Sequence, residues 1–485
     1  MRKWKYKIAI LTWSILFISG ISNPLYADAW IDGTPYFHEE GRLLAQTLGH
    51  NNRAMLAPAL NARLGSPAYK VGDERDFYAV NILNNIQYSL TASLRAVSDR
   101  AYIFVENDRS VAADKLKALL TSFDGIYQGI ADSFGSPPDS IDGDSRIYLL
   151  IMDIAGGAQG NGARVVGYFS PINQYSNAQL PVWINRRSNE VEMLYIDYRA
   201  LNAPANIAES IVAHEFMHLV EWAYDPAESI WVSEGLAVYA EAMLGYEVES
   251  RISAFEKNPD TPLLDWSGSI EDYGAAYLFF AYVSERLGGT PTIAAIVKNG
   301  EQDTEGIELA LARRGKDISF DRIFSDWVIA NYLDDPEPNG GIYGYSTFDI
   351  HLTPSVVEFQ YPIDRKESSL KPWTAQYTEF KKGQNDTLNL TVHDNSDDYI
   401  VAQVIEIGDD GINVSSFKSS DAESGAASIL QETGKTILVI TSQPNPPNRR
   451  MNYSSYNYSA EVQETIISVD PTPSRITTWG KIKRD

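Results

Sequence analysis

Residues 211–220 read Ile-Val-Ala-His-Glu-Phe-Met-His-Leu-Val. They sit inside a longer stretch, 204–223, with the length and composition of a helix and with Pro204 suited to its first turn. Apolar side chains leave this helix little polar face, so it has to be mostly buried. It nevertheless carries two histidines and a glutamate, and buried ionisable groups need partners to offset their lost hydration. Whatever fold the chain adopts must bring matching groups to this helix. Cysteine cannot supply them, because the 485 residues contain none. Disulfides, thiolate metal sites and cysteine nucleophiles are excluded with it, and any metal site must be built from His, Asp and Glu. Histidine is also scarce, at six in the chain, so a pair at close spacing is informative.

That pair is His214 and His218. Residues four apart lie on one face of a helix, about 5–6 Å apart, so both imidazoles can reach one ion. Zinc accepts nitrogen ligands at about 2.0–2.1 Å, and a hydrolytic site wants three protein ligands plus an open position for water. Glu215 is displaced by one residue. It is too far round to be a natural third ligand, but it can meet the metal's water as general base. The bland alternative is a helix that happens to carry two histidines.

Residues 231–241, Trp-Val-Ser-Glu-Gly-Leu-Ala-Val-Tyr-Ala-Glu, begin a second helix with an acid near its start. Here the chain resembles the gluzincin metallopeptidases, whose second helix typically reads Trp-x-x-Glu-Gly-x-x-x-Tyr-x-Glu. The resemblance implies that Glu234 is the third zinc ligand. Fifteen residues separate it from His218, short for the clan but suited to its hyicolysin-like subgroup, which shares the Ala-His-Glu-Phe-x-His-Leu run. The resemblance also implies that Glu241, two turns further on, hydrogen-bonds a ligand histidine and fixes its tautomer; the alternative is a solvated helix acid. Clan members commonly draw an oxyanion donor from a later helix, for which Tyr273 is preferred, because its neighbour Gly274 would let substrate approach, with Tyr277 next. Strand 192–198 would be the edge strand that pairs with extended substrate. A metzincin would want Gly and His where the chain has Glu221 and Tyr224. Glu209 and Glu221 are read as surface or rim charges. A zinc aminopeptidase of the clan would carry a Gly-x-Met-Glu-Asn type motif on the edge strand, and residues 192–198 lack it.

The remaining chain supplies context. Residues 1–7 are basic, 8–22 are apolar, and Ala27 offers a small residue for cleavage, which together read as a signal peptide over 1–27. The apolar run is shorter than the roughly 20 residues of a spanning helix, so no stable membrane insertion is expected after cleavage. From Asp76 the pattern becomes strand-like, and Tyr88, Leu90, Ala92, Leu94 and Ala96 alternate with polar residues. Residues 28–98 are read as a β-rich module. Strands at 101–106, 145–153 and 192–198 alternate with an amphipathic helix at 112–134 and the helix at 204–223. Further helices follow near 232–243, 275–287, 291–297, 305–313 and 320–332. Strands at 387–392, 399–407, 436–441 and near 458–462 suggest a sandwich.

The expected fold class is α+β: a gluzincin-type metallopeptidase domain at 99–350, flanked by the N-terminal β-rich module and a C-terminal β-sandwich at 373–470. A linker is expected at 351–372 and a tail at 471–485. Forty Lys and Arg against 64 Asp and Glu give a net charge of -24. That excludes a nucleic-acid binder, which needs a basic face, and adsorption to an anionic membrane.

The resulting expectation is a secreted, monomeric, bacterial zinc metalloendopeptidase acting on protein or peptide substrates. The competing expectation is an exported binding or adhesion protein on a catalytically degenerate scaffold. Asp139, Asp142 and Asp144 could hold calcium through oxygen ligands, although their spacing departs from the EF-hand pattern and a plain Asp-Gly turn is preferred.

Overall fold

The computed structural model describes residues 30–48, 69–158, 163–203, 206–382, 386–395, 400–409, 411–418, 425–430, 434–444 and 453–463. The signal peptide and the tail expected at 1–27 and 471–485 lie outside the described residues. The chain opens with strand β1 (Trp30–Asp32) and helix α1 (Pro35–Leu48), followed by β2 (Glu74–Asn81), β3 (Ile86–Val97) and β4 (Ala101–Glu106). Helix α2 (Ala113–Phe134) leads to β5 (Ile147–Met152), β6 (Arg164–Phe169) and β7 (Met193–Asp197). A helical half follows: α3 (Ile207–Tyr224), α4 (Ile230–Met243), α5 (Glu249–Lys257), α6 (Ile270–Leu287), α7 (Thr290–Val297), α8 (Asp303–Arg313) and α9 (Phe320–Leu333).

The seven strands form one mixed sheet in the order β1-β6-β7-β5-β4-β3-β2. Strand β5 shows why it folds this way. Its residues Ile147, Leu149 and Ile151 join the core shared with α2 and α3, while Tyr148, Leu150 and Met152 join a second apolar layer on the opposite face. A central strand buried on both faces reads as a continuous apolar run, and β5 and β7 both do. The amphipathic pattern of 112–134 is realised in α2, which buries Leu116, Leu119, Leu120, Phe123, Ile126, Tyr127 and Ile130. Phe216 of α3 packs against Phe123 and Tyr127, with ring centroids 5.3 and 5.2 Å apart, and this locks α3 between α2 and the sheet.

Three expectations need correction. Residues 28–98 do not stand apart as a β module, because β3 pairs with β4 and β1 pairs with β6, so the sheet runs through the boundary drawn at 98. Strand 192–198 is not an edge. β7 lies between β6 and β5; β6, a strand the sequence analysis missed, lies beyond it, and β1 on the far side of β6 forms the edge. The edge placement rests on the resemblance, which puts the strand directly before the α3 helix at the rim of the cleft, and the sequence itself shows only a strand there. Strand β6 (Arg-Val-Val-Gly-Tyr-Phe) also lacks the aminopeptidase motif. The supposed linker 351–372 contains β8 (Val356–Glu358) and β9 (Ile363–Leu370), each of which is an end strand of one of two further sheets. Proline punctuation and the charges of β9 hid them, and charged residues are what an edge strand carries.

The C-terminal part continues with β10 (Ala375–Phe380), β11 (Thr387–Asp394), β12 (Ile400–Gly408), β13 (Gly411–Lys418), β14 (Gly425–Leu430), β15 (Lys435–Ser442) and β16 (Ser454–Gln463). Five strands, β13-β12-β15-β10-β8, face four, β14-β11-β16-β9, over a shared core that includes Leu388, Leu390, Val404, Leu438 and Tyr458. The larger sheet also docks on α9, where Tyr377 Oη donates to the Val328 carbonyl at 2.9 Å. Among the described residues no helix is long and apolar enough to cross a membrane.

Candidate metal centre

Helix α3 carries His214 and His218 on the face turned towards α4, and Glu234 projects from the first turns of α4 to meet them. His214 Nε2 lies 3.2 Å from Glu234 Oε2, and His218 Nε2 lies 3.5 Å from Glu234 Oε1. A fourth group comes from outside these helices. Asp32 Oδ2, at the end of β1, is 3.6 Å from His214 Nε2 and 3.8 Å from His218 Nε2. A tetrahedral zinc with bonds of about 2.0–2.1 Å spaces its ligand atoms about 3.3–3.4 Å apart, close to these separations. His218 Nε2, Glu234 Oε1 and Asp32 Oδ2 are buried without a hydrogen-bond partner, each facing the same small space. Orphaned buried polar atoms are costly, and a cation bound among them would satisfy them together. The residues present fit a metal ion, and among the described residues this is the one group of His, Asp and Glu that could hold one.

The histidines are held from behind. His214 Nδ1 donates to Glu241 Oε1 at 2.8 Å, which leaves its Nε2 lone pair facing the centre. Arg251 of α5 pairs with Glu241 at 3.0 Å, and Ser210 Oγ donates to the same carboxylate. Burial opposes ionisation of Glu241, but Arg251 and His214 overcome it and hold the carboxyl below its usual range. His218 Nδ1 meets Ser233 Oγ at 3.1 Å, and that hydroxyl donates to Glu221 at 3.0 Å. Glu241 is therefore no solvated acid. Glu221, read as a surface charge, is buried and reaches His218 through Ser233. Its position three residues beyond His218 is the signal that could have found it, since such spacing keeps it on the same face. Glu209 sits half-buried in the first turn of α3.

Glu215 is 1% exposed and stands outside the four-residue group. It points towards β6, where a Cβ on Gly167 would come within 3.0 Å of Glu215 Oε1, so a side chain at position 167 would crowd it. Thr34 Oγ1 donates to Glu215 Oε2 at 2.7 Å. Burial, and then the neighbouring Asp32, push the Glu215 carboxyl well above its usual value. Burial alone would lower the His214 imidazolium, yet Asp32, Glu234 and Glu241 raise it well above the normal range, the signature of a site that wants positive charge.

Tyr273 opens α6 behind a capping box in which Ser269 and Asp272 exchange hydrogen bonds. Its ring lies 6.4 Å from that of His214 and packs edge-on against Trp266 at 4.8 Å. Gly274 does not serve substrate approach. A Cβ there would strike the Arg251 carbonyl at 2.2 Å, so this glycine lets α5 and α6 close together. Tyr277 packs against Phe348 instead. The calcium expectation finds no support. Asp144 bonds Tyr102 and Arg146, Asp142 accepts from the Asp144 amide, and the three acids form no ligating group.

No protein-family model matches the chain. Over 265 residues it is 24% identical to the neutral metalloprotease ShpI of Staphylococcus hyicus, a match covering 50% of this chain and 58% of that protein. The match supports a metalloprotease relationship. The aligned region spans less than two thirds of that relative. Among solved structures, the pre-peptidase C-terminal domain of a Bacillus anthracis collagenase aligns with 22% of this chain and 97% of its own, at 10% identity and a TM-score of 0.18. The lysozyme inhibitor PliG of Aeromonas hydrophila aligns with 23% of this chain and 100% of its own, at 10% identity and a TM-score of 0.18. Likenesses this slight carry no argument.

Proposed function

We propose that the chain is an exported zinc metalloendopeptidase of gluzincin type. The observation that carries this reading is the approach of His214, His218 and Glu234 at tetrahedral-edge separations, with Glu215 beside them on the same helix. A zinc ion held there by His214, His218 and Glu234 would supply acidity to a water and polarise the scissile carbonyl. Glu215 would take a proton from the attacking water and return it to the leaving amine. Tyr273, close to His214, is the residue to donate to the developing oxyanion. Glu241 with Arg251, and Ser233 with Glu221, orient the two imidazoles. Endopeptidase action is favoured because neither β6 nor β7 carries the aminopeptidase motif.

A peptide-library digest read by mass spectrometry tests this. Internal cleavages should appear and should vanish with a zinc chelator; cleavage that persists under chelation would sink the reading. Loss of an orienting carboxylate should act on the metal itself. Glu241→Gln is expected to weaken zinc binding by about 10–100-fold, measured by chelator competition.

A further inference from the structure

A catalytic zinc site keeps one position open, whereas a closed set of four protein ligands is the arrangement of structural sites. Four residues here could ligate one ion, and the fourth of them, Asp32, comes from β1. The Thr34 amide donates to Asp32 Oδ1 at 2.8 Å, which turns Oδ2 towards the two imidazoles. Thr34 Oγ1 holds the Glu215 carboxylate and accepts from the Phe169 amide at 2.9 Å. Strand β1 pairs along β6, with Asp32 opposite Gly167, and the Gly33 amide donates to the Gly167 carbonyl at 2.8 Å. An extended peptide adding to this sheet would need the same edge. Helix α1 pins the segment in place: Phe37 packs at a tilt against Tyr168, ring centroids 4.9 Å apart, Leu44 is fully buried, and Glu40 pairs with Arg186 at 2.9 Å. A pocket of about 20 Å³, room for about one water, lies where His38 and Gly41 of α1 face His218 and Glu221.

We propose that residues 30–48 are a built-in inhibitor, with Asp32 as a displaceable fourth metal ligand, Thr34 capping the general base, and β1 covering the substrate edge of β6. The proposal rests on the peptidase reading above. Withdrawal of the segment would open one metal position, free Glu215 and bare the β6 edge in one movement.

The test uses the full chain with a site-specific protease sequence inserted between Leu48 and Tyr69, as wild type and as Asp32→Asn, loaded with Co²⁺. The probe is a small hydroxamate, followed by the cobalt absorption spectrum. Uncut wild type should not respond at a probe concentration that saturates the cut protein, whereas uncut Asp32→Asn should respond. A tethered competitor acts at roughly millimolar effective concentration, so cutting should raise peptide hydrolysis at least about tenfold. The idea is overturned if uncut wild type binds the probe as tightly as Asp32→Asn, or hydrolyses peptides at the rate of the cut chain. If the cut chain alone binds the probe yet cleaves no peptide, the inhibitory role stands and the peptidase reading fails.

Discussion

Glu215→Gln is expected to remove peptide hydrolysis almost completely while leaving the metal in place. The two halves of that result follow from different observations. Glu215 stands outside the group formed by His214, His218, Glu234 and Asp32, so replacing it does not remove a ligand. Glutamine keeps the shape of the side chain and an oxygen that can accept from Thr34, so the buried site should stay packed. What it lacks is a carboxylate able to take a proton from water and return it to an amine. Positioned proton transfer contributes about 10²–10⁴-fold to a rate, and the variant should lose on that order. Initial rates on a cleaved peptide, with both proteins processed identically, measure the loss, and elemental analysis measures the zinc. A rate within about twofold of wild type, far inside the span of general-base catalysis, would exclude Glu215 as the base.

The sequence made the chemistry of the centre more legible than its architecture. His214 and His218 could be picked out because their spacing is local, four apart on one helix. Glu234 and Glu241 came from the resemblance of the next helix to the gluzincin pattern, which is itself a local run of residues. Asp32, Thr34 and Arg251 were not legible. Each reaches the site through a pairing no local pattern encodes, and Asp32 lies 182 positions from His214, joined to it only when β1 pairs with β6. Strand β6 was missed because its glycine and its short length weaken the period of two, yet that glycine is what lets α3 come close. The helix 112–134 was read to within a residue, since its buried stripe recurs at the helical period. The division at 98 failed because a strand pattern says that a segment pairs, but not with what.

Glu234→Ala should cost more metal affinity than any other single change outside α3. Structural zinc sites bind with roughly 10–16 kcal/mol, so one ligand in four is worth about 2.5–4 kcal/mol. At 1.4 kcal/mol per tenfold, zinc binding should weaken by about 10²–10³-fold, beyond the effect of Glu241→Gln. The comparison matters because two carboxylates face the histidines. If Glu234 is the resident ligand and Asp32 the displaceable one, Glu234→Ala loses the metal in both the intact and the cut chain. Asp32→Asn, by contrast, keeps close to one zinc per chain, since His214, His218 and Glu234 remain. The reverse pattern, zinc retained by Glu234→Ala and lost by Asp32→Asn, would make Asp32 the resident ligand, and the carboxylate on α4 would then need another role. Chelator competition on the two variants, with metal-free melting temperatures as the control for folding, separates the cases. Glu234 is fully buried in the first turns of the 14-residue helix α4, whereas Asp32 ends a three-residue strand at the sheet margin. A ligand that must stay belongs on the first kind of support, and one that must leave belongs on the second.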